Sequence, residues 1–181
     1  MTQATSVLGP WASFYVMTGS SAAALTGLMF VVISLVTGAR RNANSPDGIG
    51  TFSTPTVVHF CAVLLLSAVL SAPWPSLAGP LTVLAVAGAV GLVYIAQIMA
   101  RTRRLTTYQA DGEDWAWYAI LPLSAYLAIF AGAIMLAGMP AEGMFVVAAG
   151  AVLLIFIGIH NAWDIVTYLA ISRRDEGDDE R

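Results

Sequence analysis

The sequence predicts an all-α membrane protein: a five-transmembrane-helix bundle with its N-terminus outside and its C-terminus in the cytoplasm. Three observations carry this reading. Of 181 residues, 58% are hydrophobic and only 10% are charged, whereas a soluble domain carries about 25% charged residues. Five apolar runs reach the length of about 20 residues that a helix needs to cross the hydrocarbon core. Every basic residue falls on one side of the resulting layout.

The first run, 11–38, begins near Trp11. The stretch Met1–Gly9 lacks a basic segment, and the run is too long for a signal peptide, so this span is expected to be retained. The second run, 52–71, is stopped by "APWPSLAGP", and the third covers 81–100. The fourth, 115–137, holds Pro122, which should kink it or release a carbonyl. "GMPAEG" turns the chain into the fifth run, 144–171. Residues 172–181 form an acidic tail, expected in the cytoplasm. Residues 1–181 thus make a single transmembrane domain. The loops are short, so any function is expected inside the bundle, on its rims or in a partner.

Orientation follows from arginine. Arg40 and Arg41 follow the first run, Arg101, Arg103 and Arg104 the third, and Arg173, Arg174 and Arg181 the fifth. The positive-inside rule makes these three segments cytoplasmic. Trp11, Phe14, Tyr15 and Trp74 then mark the outer rim, and Trp115, Trp117 and Tyr118 the inner one. These aromatics read as interfacial anchors. A net charge of -3 gives no reason to expect nucleic acid.

Polar groups inside the runs are the candidate site. Asp164 is the one formally charged residue within a run, and a charge at mid-bilayer costs about 2.5–3.5 kcal/mol on the insertion scale. With about 100° per residue and His160 at zero, Thr167, Asp164, Tyr168 and Asn161 all fall within a wedge of about 120°. The second helix brings His59 to a matching depth, along with Thr56 and Ser67. The third brings Tyr94 and Gln97, and the fourth Tyr118, Ser124 and Tyr126. The expected site is a polar cavity in the cytoplasmic half, an ion or proton site built from His59, His160, Asn161, Asp164, Tyr168, Tyr94 and Gln97. A histidine held charged by a carboxylate suits such work. The competing reading is a structural network in which Asp164 pairs with His59 and Tyr94 or Gln97 closes the set.

Two histidines and a carboxylate are a minimal set for a divalent metal. His59 and His160, on different helices, could also clamp a haem. Neither has a spacing signature, so no cofactor and no metal site is expected. Cys61 lies about 200° around its helix from His59 and reads as a small apolar residue.

Gly19, Ala23 and Gly27 recur every four residues and form a ridge on which a second helix can pack closely. Ala87 with Gly91, and Gly150 with Gly158, repeat the pattern. Such ridges serve either packing within one bundle or contact between subunits. The stretch "FYVMTGSSAAALTGLMFVVISL", Phe14 to Leu35, resembles the start of small bacterial integral membrane proteins of unassigned function. The resemblance covers the first span and carries over no site residues. It implies a multi-pass protein of the bacterial cytoplasmic (inner) membrane, with the lipid bilayer as its surroundings. Abundant Ala and Gly, with Arg and no Lys, suit a GC-rich genome.

Three functions follow. The leading one is an oligomeric channel or transporter-like protein for a small ion or solute, expected to be a homo-oligomer. The second is a non-catalytic subunit or regulator of a larger membrane complex, which requires a membrane partner. The third is a haem- or metal-binding redox protein, resting on the His pair alone. The sequence holds no nucleophile elbow, Walker loop or HExxH motif, which points away from an enzyme.

Overall fold

The computed structural model describes the backbone over residues 3–40, 49–102 and 115–179, and side chains over most of this. Every element among these residues is helical. Helix α1 (Gln3–Leu8) runs through a 3-10 turn (Gly9–Trp11) into α2 (Ala12–Arg40). Then come α3 (Ile49–Ser71) and α4 (Ala78–Thr102), a π-turn (Ala116–Ile120), α5 (Leu121–Met135) and α6 (Pro140–Asp179).

The punctuation is chemical. Pro10 sits at the start of the 3-10 turn, where its missing N–H costs nothing. After α3, the Trp74 indole N–H donates to the Val69 carbonyl at 2.6 Å, and the ring lies over Gly79, where a side chain would collide with it. Beyond α5, the Met139 N–H donates to the Met135 carbonyl at 2.7 Å before Pro140 opens α6. Helix α6 does not stop near residue 171 but continues to Asp179. Arg and Glu are good helix formers, and no breaker intervenes before Gly177.

Pro122 acts one turn earlier than a simple kink would. Lacking an N–H, it cannot bond the Tyr118 carbonyl, and its ring crowds that carbonyl. The chain answers by widening: the Leu121 N–H reaches back five residues to the Ala116 carbonyl. The expected fourth helix is therefore a π-turn followed by α5.

Adjacent helices run antiparallel in a folded row. Helix α2 packs along α3, α3 along α6, α6 along α5 and α5 along α4, with smaller contacts from α2 to α6 and from α3 to α4. Glycines set the closest approaches. A side chain at Gly88 would meet the Phe130 backbone nitrogen at 2.8 Å, and one at Gly150 would meet the Ala125 carbonyl oxygen at 2.8 Å. The core along the row includes Tyr15, Ala22, Phe60, Val63, Leu84, Ile129, Met144, Val147, Leu154 and Ile157.

Four stretches are long and apolar enough to cross a membrane: Ser6–Ser34, Ala78–Ala100, Ala116–Met135 and Pro140–Thr167. The apolar part of α3 among the described residues, Pro55–Ser71, is shorter. Large apolar side chains such as Phe30, Val90, Phe156 and Trp163 point outward, as lipid would require. The loops that carry Arg41, Arg103 and Arg104 lie outside the described residues.

The first-helix ridge divides. Gly19 is buried, and a side chain there would meet the Ser67 Cβ at 2.7 Å. Ala23 and Gly27 instead face outward, and nothing lies within 4 Å of a side chain built at Gly27. Ala22 holds the buried position in place of Ala23. The inward stripe of α2 is Tyr15, Thr18 with Gly19, Ala22 and Met29, offset by one residue from the run of small residues.

Candidate functional site

The buried stripe of α6 passes through Met144, Val147, Ala151, Leu154, Gly158 and Asn161. This stripe decides what the polar wedge becomes. Asn161 continues it and is fully buried, whereas His160 is half-buried and Asp164 and Thr167 are exposed. The boundary between interior and surface thus cuts the expected wedge. Two polar groups result, and a third forms around His59.

The surface group is a stack and an ion pair. His160 Nε2 lies 3.1 Å from Asp164 Oδ2, one turn along the same helix. The other side of the imidazole is covered by Trp117, with ring centroids 3.7 Å apart and planes 13° from parallel. The π-turn before Pro122 carries Trp117 and aims it at α6. Asp164 keeps 46% of its side-chain surface. The imidazole thus has a carboxylate at one edge and an indole stacked on its face.

The deep group joins three helices. His59 on α3 is 1% exposed, and its Nδ1 shares a hydrogen bond of 3.0 Å with the Tyr126 hydroxyl on α5. The Tyr126 ring in turn fills the space left by Gly91 on α4. The sequence paired Asp164 with His59; in the structure His59 has Tyr126 and Asp164 has His160. Tyr94 is half-buried against the core and lies within electrostatic reach of Tyr126. Gln97 points outward, and the Tyr168 side chain lies outside the described residues. Cys61 is exposed.

The remaining group comprises Asn161 and Thr56, both 0% exposed. Neither amide atom of Asn161 nor the Thr56 hydroxyl has a hydrogen-bond partner among the described residues. The neighbouring α2–α3 seam is different. There Thr18 and Ser67 share a hydrogen bond of 3.1 Å, and Thr18 also reaches the Phe14 carbonyl at 3.0 Å.

Toward the opposite end, Trp11, Phe14, Tyr15 and Phe145 form an edge-to-face cluster, with Trp11 and Phe145 centroids 4.8 Å apart. Tyr15 is fully buried there, so it packs rather than serving as the rim anchor that the sequence suggested.

Sequence reasoning left two participants out of the site. Trp117 was read as an anchor, although it shares a rim with His160 and precedes a helix-breaking proline. Tyr126 was noted only as a deep polar residue; no local pattern reveals that it meets His59 across the row. No family model matches the chain, and neither a curated protein nor a solved structure matches it, so the functional reading rests on these residues alone.

Proposed function

We propose that the chain is one subunit of an oligomeric channel or transporter-like protein for a small ion or solute. In this reading all five apolar helices span the membrane, the second by way of α3, with the N-terminus outside and the C-terminus in the cytoplasm. The membrane is the bacterial cytoplasmic one. One observation carries the reading: an ion pair, His160 with Asp164, sits on the outward side of an apolar helix beside exposed Ile159, Trp163 and Val166. Asp164 precedes Arg173 by nine residues, roughly 13 Å on a helix rising about 1.5 Å per residue. A carboxylate at that depth avoids hydrocarbon and faces water or protein. A lumen or a subunit boundary shared between copies meets that need. The outward small residues Ala23 and Gly27 would let copies approach closely.

The test combines stoichiometry with flux. The purified chain in nanodiscs should be a uniform homo-oligomer, and in liposomes it should dissipate an ion gradient. Asp164→Asn should keep the assembly and lower the flux at least tenfold. A monomer that carries no ion would end this reading. Constant recovery with one larger membrane protein would instead favour a non-catalytic subunit whose partner covers the same ion pair.

A further inference from the structure

Asn161 and Thr56 are fully buried polar side chains with no hydrogen-bond partner among the described residues. Groups in that position normally find a partner, because their desolvation is otherwise uncompensated. Register brings the two together. Gly158 on α6 faces the Phe60 ring on α3, which occupies the space of the missing side chain. From that crossing, Asn161 lies three residues on along α6 and Thr56 four residues back along the antiparallel α3, about 4.5 and 6 Å toward the same end. Both are fully buried. At about 100° per residue, Thr56 falls between the directions of Phe60 and His59.

We propose that Asn161 and Thr56 hold a buried water molecule between α3 and α6. The donor set selects this ligand. Asn161 offers an acceptor and two donors, and Thr56 offers one hydroxyl that can do either. A bare cation would find only two neutral oxygens and no buried carboxylate, since Asp164 faces the other way. An anion would find two neutral donors and no positive charge. Water is neutral, donates and accepts, and typically makes about three bonds to buried polar groups that lack other partners.

The site makes the α3–α6 seam the wet one. In the α2–α3 seam Thr18 and Ser67 bond each other directly. The hydrated position lies one helical turn from His59 along α3 and one from Asp164 along α6. It therefore extends polarity inward from the rim pair toward the His59–Tyr126 bond. The titratable groups around it are His59, with Tyr126 and Tyr94 beyond, and His160 and Asp164 on the outward side of α6. This inference goes beyond the transport reading and would hold equally for a protein that carries nothing.

The experiment is water-edited solid-state NMR on the full chain in lipid bilayers. Magnetisation from water should reach the Asn161 side-chain amide as fast as it reaches Asp164 at the rim, and several-fold faster than it reaches Thr18. Transfer to Asn161 as slow as to Thr18 would overturn the proposal. A second readout uses Thr56→Val, Asn161→Leu and the double variant. A shared water predicts that the double variant's shift in unfolding midpoint departs from the sum of the two single shifts, whereas strict additivity would overturn it. The wild-type spectrum decides the matter even if a variant fails to fold, and neither readout depends on flux.

Discussion

Tyr126→Phe tests the bond at the centre of the row. The substitution keeps the ring that fills the space beside Gly91 and removes only the hydroxyl that meets His59 Nδ1 at 3.0 Å. Two magnitudes compete. Interhelical hydrogen bonds in membrane proteins average about 0.6 kcal/mol, with a maximum near 1.7 kcal/mol. Leaving a buried polar atom without a partner costs about 1–3 kcal/mol. His59 is 1% exposed, so bulk solvent does not reach it to replace the lost partner and the second effect dominates. The expected loss is about 1–2 kcal/mol, measured by reversible unfolding in mixed micelles. Combining Tyr126→Phe with His59→Leu removes both polar groups together, which costs far less than orphaning one of them. The double variant should therefore be more stable than Tyr126→Phe alone. A single variant within about 0.3 kcal/mol of wild type, or a double variant at the sum of the two losses, would refute the reasoning.

Other outcomes follow from the same geometry. Gly150→Ala places a methyl 2.8 Å from the Ala125 carbonyl oxygen and from the Ile129 side chain. Ordinary contact begins at 3.4 Å, so α5 and α6 must part by about 0.6 Å (3.4 − 2.8), and overpacking of this kind costs about 1–3 kcal/mol. Gly27→Ala meets nothing within 4 Å and should leave the unfolding midpoint unchanged or slightly raised. Equal shifts for the two glycines would contradict the assigned packing. Ala23→Leu should leave the stability of an isolated chain intact, because Ala23 faces outward; a loss confined to the assembled particle, read from its elution volume, would locate a subunit contact there. Trp117→Leu should cost about 0.5–1.5 kcal/mol beyond lost area by removing the stack on His160. An unchanged midpoint would mean that the stack contributes nothing.

The helices were legible because lipid-crossing runs and their Pro and Gly stops are local in sequence. The azimuth of each helix was not. Reading Asp164, His160 and Asn161 as one wedge required only helical periodicity, but which side of that wedge faces inward depends on Met144, Val147 and Leu154 meeting other helices. In an all-apolar run, polarity cannot mark the buried face, since lipid-facing and core-facing residues are alike. The same degeneracy moved the ridge of α2: small residues fill both Ala22 and Ala23, and only the neighbour on α3 distinguishes them. Pairing was the least visible part. His59 could reach several polar groups at its depth, and its choice of Tyr126 depends on Gly91 lying on a third helix.

The π-turn at Ala116–Ile120 amounts to an inserted residue that the helix absorbed without losing its course. It works as a rotary offset. Trp115, just ahead of it, is turned by about 100° relative to an unbroken helix, while the residues beyond Pro122 keep their place. Trp117 lies within the turn and stacks on His160 with ring centroids 3.7 Å apart. Pro122→Ala would remove the cause of the widening and let ordinary winding return, turning Trp117 away from His160 and exposing the imidazole face, with the α4–α5 and α5–α6 seams undisturbed. A one-codon change can therefore disconnect the rim pair from its aromatic cover while sparing the bundle that carries it.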